Sequence, residues 1–227
     1  MNYDVIIIGA GPGGIFAAYE LMKEKPDYKV AVFEEGYSLE KRKCPIDGKK
    51  IKNCINCKRC SIMCGFGGAG AFSDGKLSLS PDVGGTLPEI LGYEKAEELI
   101  KEADNIYLKF GADEKVYGID DYEAIERIRA KAIRANLKLI ECPIRHLGTE
   151  EGYKIYTRLQ EHLLASGVEI KFMTMVQDII IEDGVAKGVV TDKEETYYAD
   201  EIVSGIGREG SSWFEGICKN HGIKTQN

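Results

Sequence analysis

The hydrophobic pattern opens with a short uninterrupted apolar run at residues 5–8, rich in β-branched side chains. A run without alternation is the pattern of a strand buried on both faces. Residues 15–25 then place apolar side chains at helical spacing, and 29–33 form a second buried strand. The first 34 residues therefore predict strand, turn, helix, strand. Residues 36–92 have weak periodicity and carry five of the seven cysteines, between Cys44 and Cys64. So long an irregular stretch in a compact domain implies function. Helical spacing returns over 94–110, 122–135 and 153–165, and a strand signal follows at 168–172. Three short runs, 176–181, 185–191 and 195–199, are separated by turn residues at 182–184 and 192–193 and predict an antiparallel meander. A last buried strand, 201–204, runs into Gly205-Ile206-Gly207.

The turn after the first strand reads Gly9-Ala10-Gly11-Pro12-Gly13-Gly14 and fits G-x-G-x-x-G through Gly9, Gly11 and Gly14. The first glycine makes the tight turn, the second admits a pyrophosphate close to the backbone, and the third lets helix and strand approach. A diphosphate at the helix N-terminus meets free N–H groups and the positive end of the dipole. The motif follows a strand, opens a helix, and is succeeded by Glu34 at the end of the second strand. An acid there accepts hydrogen bonds from both ribose hydroxyls and disfavours a 2′-phosphate. The expected ligand is an adenine dinucleotide, FAD or NAD rather than NADP.

Cys54, Cys57, Cys60 and Cys64 are spaced C-x2-C-x2-C-x3-C, with Cys44 ten residues upstream as an alternative ligand. That is the bacterial ferredoxin run, in which closely spaced thiolates hold an iron–sulfur cluster such as a 4Fe–4S cubane. Zinc more often takes two separated pairs, and a thiol/disulfide relay or structural cysteines also fit the residues. Next come five glycines in eleven residues, from Gly65 to Gly75, interleaved with Phe and Ala, unlike a solvated Gly/Ser tether. Such a segment brings backbone N–H groups to a ligand. Gly67, Gly68, Gly70, Ser73 and Asp74 are its candidate cofactor contacts. Lys76, Arg145 and His146 are the candidate catalytic side chains: His146 lies in a loop beside Arg145 and suits an anionic substrate or proton donation.

Charge and composition narrow the classes. An apolar fraction of 44% with 30% charged residues is that of a folded globular protein. Thirty-seven acidic against 30 basic side chains, a net charge of -7, argue against nucleic acid as a partner. No stretch reaches the eighteen or so apolar residues of a membrane span. The apolar N-terminus lacks a basic region and is broken by Asp4 and the glycine turn, unlike a signal peptide. A cytoplasmic setting is expected, and there clustered cysteines suggest metal or redox chemistry more than disulfides.

The motifs together resemble the family of FAD-dependent dehydrogenases, within the glutathione-reductase-like FAD/NAD(P)-binding superfamily, that carry a Cys-rich segment before a G-x-G-G-A-G-x-x-S-D-G-K stretch. The matching residues are Gly9 to Gly14, Cys54 to Cys60, Gly65 to Lys76, Arg145 to Thr149, and Gly205 to Arg208 with Trp213-Phe214. The resemblance implies an α/β fold: a Rossmann-like FAD/NAD(P)-binding domain with a parallel sheet, a β-meander insertion and a partial second, helical region. The expected division is 1–40 with 137–215 for the dinucleotide domain, 41–92 for the Cys/Gly segment, 93–136 for a helical insertion, and 216–227 for the start of a further region. It places Val176 where the backbone meets adenine, and Gly205 and Gly207 in a turn that passes near the flavin. The implied function is FAD-dependent oxidoreduction on an unassigned small molecule or redox partner, with NAD(P)H a candidate co-substrate and an iron–sulfur cluster a candidate relay. The alternatives are a flavin-dependent dithiol reductase and a non-catalytic dinucleotide- or metal-binding fragment. Members of the family are about twice this length, so the chain is expected to be the front half of a larger flavoprotein.

Overall fold

The structure is a computed structural model that describes residues 2–225; the last two residues of the expected 216–227 segment lie outside the described residues. In chain order the elements are β1 (Asn2–Ile8), α1 (Pro12–Glu24), β2 (Val30–Phe33), β3 (Lys76–Ser78), α2 (Leu87–Leu91), α3 (Tyr93–Lys109), β4 (Val116–Tyr117), α4 (Tyr122–Arg134), β5 (Ile144–His146), α5 (Thr149–Ala165), β6 (Glu169–Lys171), β7 (Val176–Glu182), β8 (Val185–Thr191), β9 (Thr196–Ser204) and α6 (Ser211–Asn220). Short 3-10 turns occupy Leu39–Lys41 and Gly68–Phe72. The chain divides into two units, one running to Phe72 and resuming at Tyr156, the other Ser73–Ile155.

The first unit is built on a six-stranded sheet in the order β6-β2-β1-β9-β8-β7. β6, β2, β1 and β9 run parallel, while β8 and β7 are antiparallel. Val5 to Ile8 and Val30 to Phe33 are all buried, which is why both runs lack alternation. The expected meander and final strand merge. Thr196–Ser204 is one strand, pairing with β8 through Thr196 to Tyr198 and with β1 from Tyr198 to Ser204. Asp200 and Glu201, which mark an apparent break in the apolar pattern, sit mid-strand as ordinary members of the ladder. Tyr19 of α1 stacks with His162 of α5, their ring centroids 5.5 Å apart.

The second unit holds the three-stranded antiparallel sheet β3-β5-β4 with α2, α3 and α4. Its strands are two or three residues long, too short to leave a period in the sequence. The divisions fall after Phe72 and Ile155 rather than at 40 and 137. Residues 41–72 of the Cys/Gly segment belong with the first unit, where Phe66 is fully buried and the Gly67 N–H donates to the Ala10 carbonyl at 2.8 Å, while 73–92 fall in the second.

The glycine turn that joins β1 to α1 is the tightest part of the first unit. Gly9 adopts φ +96°, and its N–H donates to the Phe33 carbonyl at 2.8 Å. A Cβ on Gly14 would lie 1.9 Å from the Gly9 carbonyl oxygen, whereas one on Gly13 would meet nothing within 4 Å. Gly14→Ala is therefore expected to cost about 3 kcal/mol, at the upper end of overpacking. Gly13→Ala is expected to be neutral or to stabilise by up to about 1 kcal/mol. Urea unfolding of the two variants checks the difference; equal midpoints would refute the packing role of Gly14.

Candidate dinucleotide site

Four segments of the first unit converge at the carboxyl ends of its parallel strands. They are the β1–α1 turn, the end of β2, the Met63–Gly70 stretch, and the turn Ser204–Gly210 after β9, and they enclose a cavity of about 830 Å³. Strand ends at a change of sheet direction are where open α/β sheets receive ligands. α1 begins with Pro12 after Gly11, with no side chain capping its first turn. A first turn has more N–H groups than the helix can pair, so its open end suits an anion. A Cβ on Gly11 or Gly13 would meet no protein atom within 4 Å; the space beyond them belongs to the cavity. A smaller adjoining cavity of about 200 Å³ is lined by Phe33, Glu35, Met175, Val176, Glu209 and Trp213, among others.

Glu34 ties these segments together. It is 5% exposed, and its Oε2 accepts the Ala10 N–H at 2.8 Å. Its Oε1 accepts the N–H groups of Gly36 and Gly65, each at 2.8 Å. A Cβ on Gly36 would lie 2.4 Å from the Gly65 nitrogen, so only glycine lets the exit of β2 touch the Cys/Gly segment. Two carboxylate oxygens offer about four acceptor sites, and three face backbone. The expected grip on both ribose hydroxyls is corrected accordingly: one acceptor site, on Oε2, remains at the cavity that Glu34 lines.

Of the expected cofactor contacts, Gly9, Gly11, Gly13, Glu34, Gly68, Gly70, Gly205 and Gly207 all line the larger cavity. Val176 lines the smaller one, while Gly14 packs against the β1 turn and Gly67 bonds to Ala10 behind the wall. Ser73, Asp74, Lys76, Arg145 and His146 belong to the second unit. There Lys76 pairs with Asp74 at 2.7 Å and stands opposite His146 in the β3–β5 ladder. The Lys76 ammonium, with His146 a weaker influence, holds the Asp74 carboxyl below its usual range. His146 is exposed, with the Tyr117 ring edge-on at 6.4 Å. Arg145 departs from the catalytic role expected of it. It is buried, its Nε and Nη2 donate to the Asp104 carboxylate (Nη2 at 2.7 Å), and its Nη1 donates to the Asp113 carbonyl. It frames the second unit.

The cysteines are not gathered as the spacing suggested. Cys44, Cys54 and Cys57 are exposed, Cys60 is half-buried, and Cys64 is buried and lines the larger cavity. Cys54 Sγ accepts the Asn56 N–H at 3.4 Å within its own turn, while Cys64 is turned inward. Burial, with Glu35 beside it, pushes the Cys64 thiol up to about 12. Among the described residues, no three His, Cys, Asp or Glu side chains converge as a metal site requires. The expected cluster ligands Cys54, Cys57, Cys60 and Cys64, and Cys44 as substitute, thus form no cage: the same chain turns send some sulfurs to solvent and one to the interior.

Comparison with known proteins agrees with the fold. Residues 1–40 match the model of the Thi4 family, and residues 122–227 match that of pyridine nucleotide-disulphide oxidoreductases. Among solved structures, the chain superimposes on Thermovibrio ammonificans THI4 with a TM-score of 0.51 at 15% identity, covering 98% of this chain and 64% of that one. The glycine oxidase of Geobacillus kaustophilus gives a TM-score of 0.54 at 16% identity, covering 98% and 59%. These likenesses show the fold, a mixed α/β arrangement around a mainly parallel sheet. An uncharacterised protein of Clostridium beijerinckii is 24% identical over 216 residues, which are 95% of this chain and 33% of that protein. The chain thus spans a third of the curated relative and about three-fifths of the two solved structures. No helix among the described residues is long and apolar enough to cross a membrane.

The cavity also contains residues that the sequence alone did not place in the site. Gly36, Met63, Ala69, Arg208 and Glu209 sit at or behind its wall, and Trp213 closes the smaller cavity while its Nε1 donates to the Gln177 carbonyl at 2.9 Å. Gly36 left a signal as the glycine that follows the acid pair Glu34-Glu35, and Arg208 and Trp213 as members of the matching segments. Replacing Glu34 with Gln turns one of its acceptor atoms into an NH2 donor facing backbone N–H groups. Glu34→Gln is expected to lose about 2–4 kcal/mol of stability, the scale of charge-assisted hydrogen bonds inside a protein. Denaturant unfolding reads this directly, and a variant as stable as the parent would show that the three bonds hold nothing.

Proposed function

We propose that the first unit binds FAD and that the chain is the dinucleotide-binding part of an FAD-dependent oxidoreductase. The observation that carries this is the convergence on one cavity of the uncapped α1 N-terminus, the free acceptor site of Glu34 and the glycine walls at 65–70 and 204–210. These residues fit the group. The first turn of α1 suits a diphosphate, Glu34 suits a ribose hydroxyl, and the smaller cavity, with Phe33, Val176 and Trp213 on its wall, suits a purine ring. The flavin, when bound, supplies the capacity to take or give one or two electrons. The chain's own part is to hold the dinucleotide, to keep water from its diphosphate, and to leave the Gly65–Gly70 wall open-faced toward it. Structural likeness to the Geobacillus kaustophilus glycine oxidase and to THI4 supports the fold on which this rests. NAD(P)H as the source of electrons belongs to the same reading and is supported by the pyridine nucleotide-disulphide oxidoreductase match. No step runs through an iron–sulfur cluster, because the thiols do not converge.

Trp213 is the chain's single tryptophan and lines the smaller cavity, so its fluorescence reports occupancy. Titration of the apoprotein with FAD is expected to quench Trp213 and to leave flavin with the protein through gel filtration. ADP is expected to bind, and adenosine 2′,5′-bisphosphate to bind at least about tenfold more weakly, because its 2′-phosphate faces the Glu34 carboxylate. Absence of both FAD and ADP binding would overturn the proposal.

A further inference from the structure

Arg42 follows the 3-10 turn Leu39–Lys41, and nothing in the sequence distinguishes it from its neighbours Lys41 and Lys43. Its side chain is buried. Nε donates to the Ser61 carbonyl at 2.9 Å and Nη2 to that of Ile62 at 2.8 Å. Nη1 donates to both Phe66, at 2.6 Å, and Gly68, at 2.8 Å. The guanidinium lies 4.7 Å from the centre of the Phe72 ring. Four of its five N–H donors therefore engage backbone carbonyls of one eight-residue stretch. That stretch contributes Met63, Cys64, Gly65 and Gly68 to the larger cavity.

The stretch contains no strand or α-helix and is rich in glycine, so its backbone has much conformational freedom to lose. A buried cation needs acceptors at close range, and here the carbonyls supply them. Burial lowers the guanidinium's hold on its proton, with the nearby Glu34 carboxylate opposing the effect. The side chain still carries its charge, as arginine does throughout proteins. A planar fork with five fixed donors can meet four carbonyls pointing from different turns of chain, whereas a lysine ammonium has three donors about one point.

We propose that Arg42 is a positioning residue that sets the 61–68 wall of the dinucleotide cavity in its binding shape through four backbone carbonyls. The inference rests on the reading of that cavity as a dinucleotide site, but one consequence is independent of any ligand. Cys64 lies on the wall, Cys218 lies on α6 and does not line the cavity, and both are buried. Alkylation of the ligand-free protein by N-ethylmaleimide, read peptide by peptide, separates release of the wall from general unfolding. In Arg42→Met, Cys64 is expected to react at least about tenfold faster while Cys218 stays protected, since local opening is selective where global opening is not. FAD affinity is expected to fall about tenfold or more in Arg42→Met, with partial recovery in Arg42→Lys, which keeps the charge but not the fork. Unchanged Cys64 protection in Arg42→Met would overturn the inference. So would parallel exposure of Cys64 and Cys218, which would make Arg42 a determinant of overall stability alone. A parent protein that binds neither FAD nor ADP would refute the dinucleotide reading while the alkylation pattern still judged the wall.

Discussion

A single buried carboxylate joins the parts of this chain that are otherwise far apart in sequence. Glu34 receives N–H groups from Ala10, Gly36 and Gly65, and so binds the helix-opening turn, the exit of β2 and the Cys/Gly segment to one point. An ionised carboxylate away from water is costly unless its lone pairs are met, and three backbone donors meet most of them. The same need fixes the three donors: each is a loop amide that would lack a partner if the acid were removed. Arg42 is the counterpart of opposite sign. It gathers carbonyls from 61–68 as Glu34 gathers amides. The irregular wall of the cavity is thus held between a buried acid and a buried base, each solvated by backbone rather than by the other.

This arrangement explains how so long a stretch without regular structure can have a defined shape. Its order comes from charge-assisted bonds at fixed points, with Phe66 fully buried as an apolar anchor. Glycines stand where the backbone segments touch, above all at Gly36 and Gly14. The cavity that results lies at the carboxyl ends of β1, β2 and β9, over the open turn of α1. Its location follows from the sheet, and its chemistry from the loops.

Much of the first unit could be read from sequence. The continuous runs in β1 and β2 reflect burial on both faces, and G-x-G-x-x-G between a strand and a helix carries its geometry with it. Glu34 was found by its distance from that motif, although its backbone duties were not, since hydrogen bonds to loop amides leave no pattern. β9 was divided because Asp200 and Glu201 interrupt its apolar run, and only pairing with both β1 and β8 shows it to be one strand. The β3-β5-β4 sheet was missed because its strands are too short for periodicity. Arg145 drew attention beside a histidine, yet it serves Asp104 within the second unit. Arg42 drew none, because a buried arginine in a polar loop looks like an exposed one. Cysteine spacing was a poor guide to geometry: short intervals along the chain do not by themselves aim side chains at a common point.

Native-state hydrogen exchange of the amides of Ala10, Gly36 and Gly65 tests the central role of Glu34 most directly. If one carboxylate holds all three, they exchange with a shared opening free energy, well above that of ordinary loop amides, and they lose protection together on mild destabilisation. Independent exchange of the three amides, each at rates typical of exposed loops, would contradict the account.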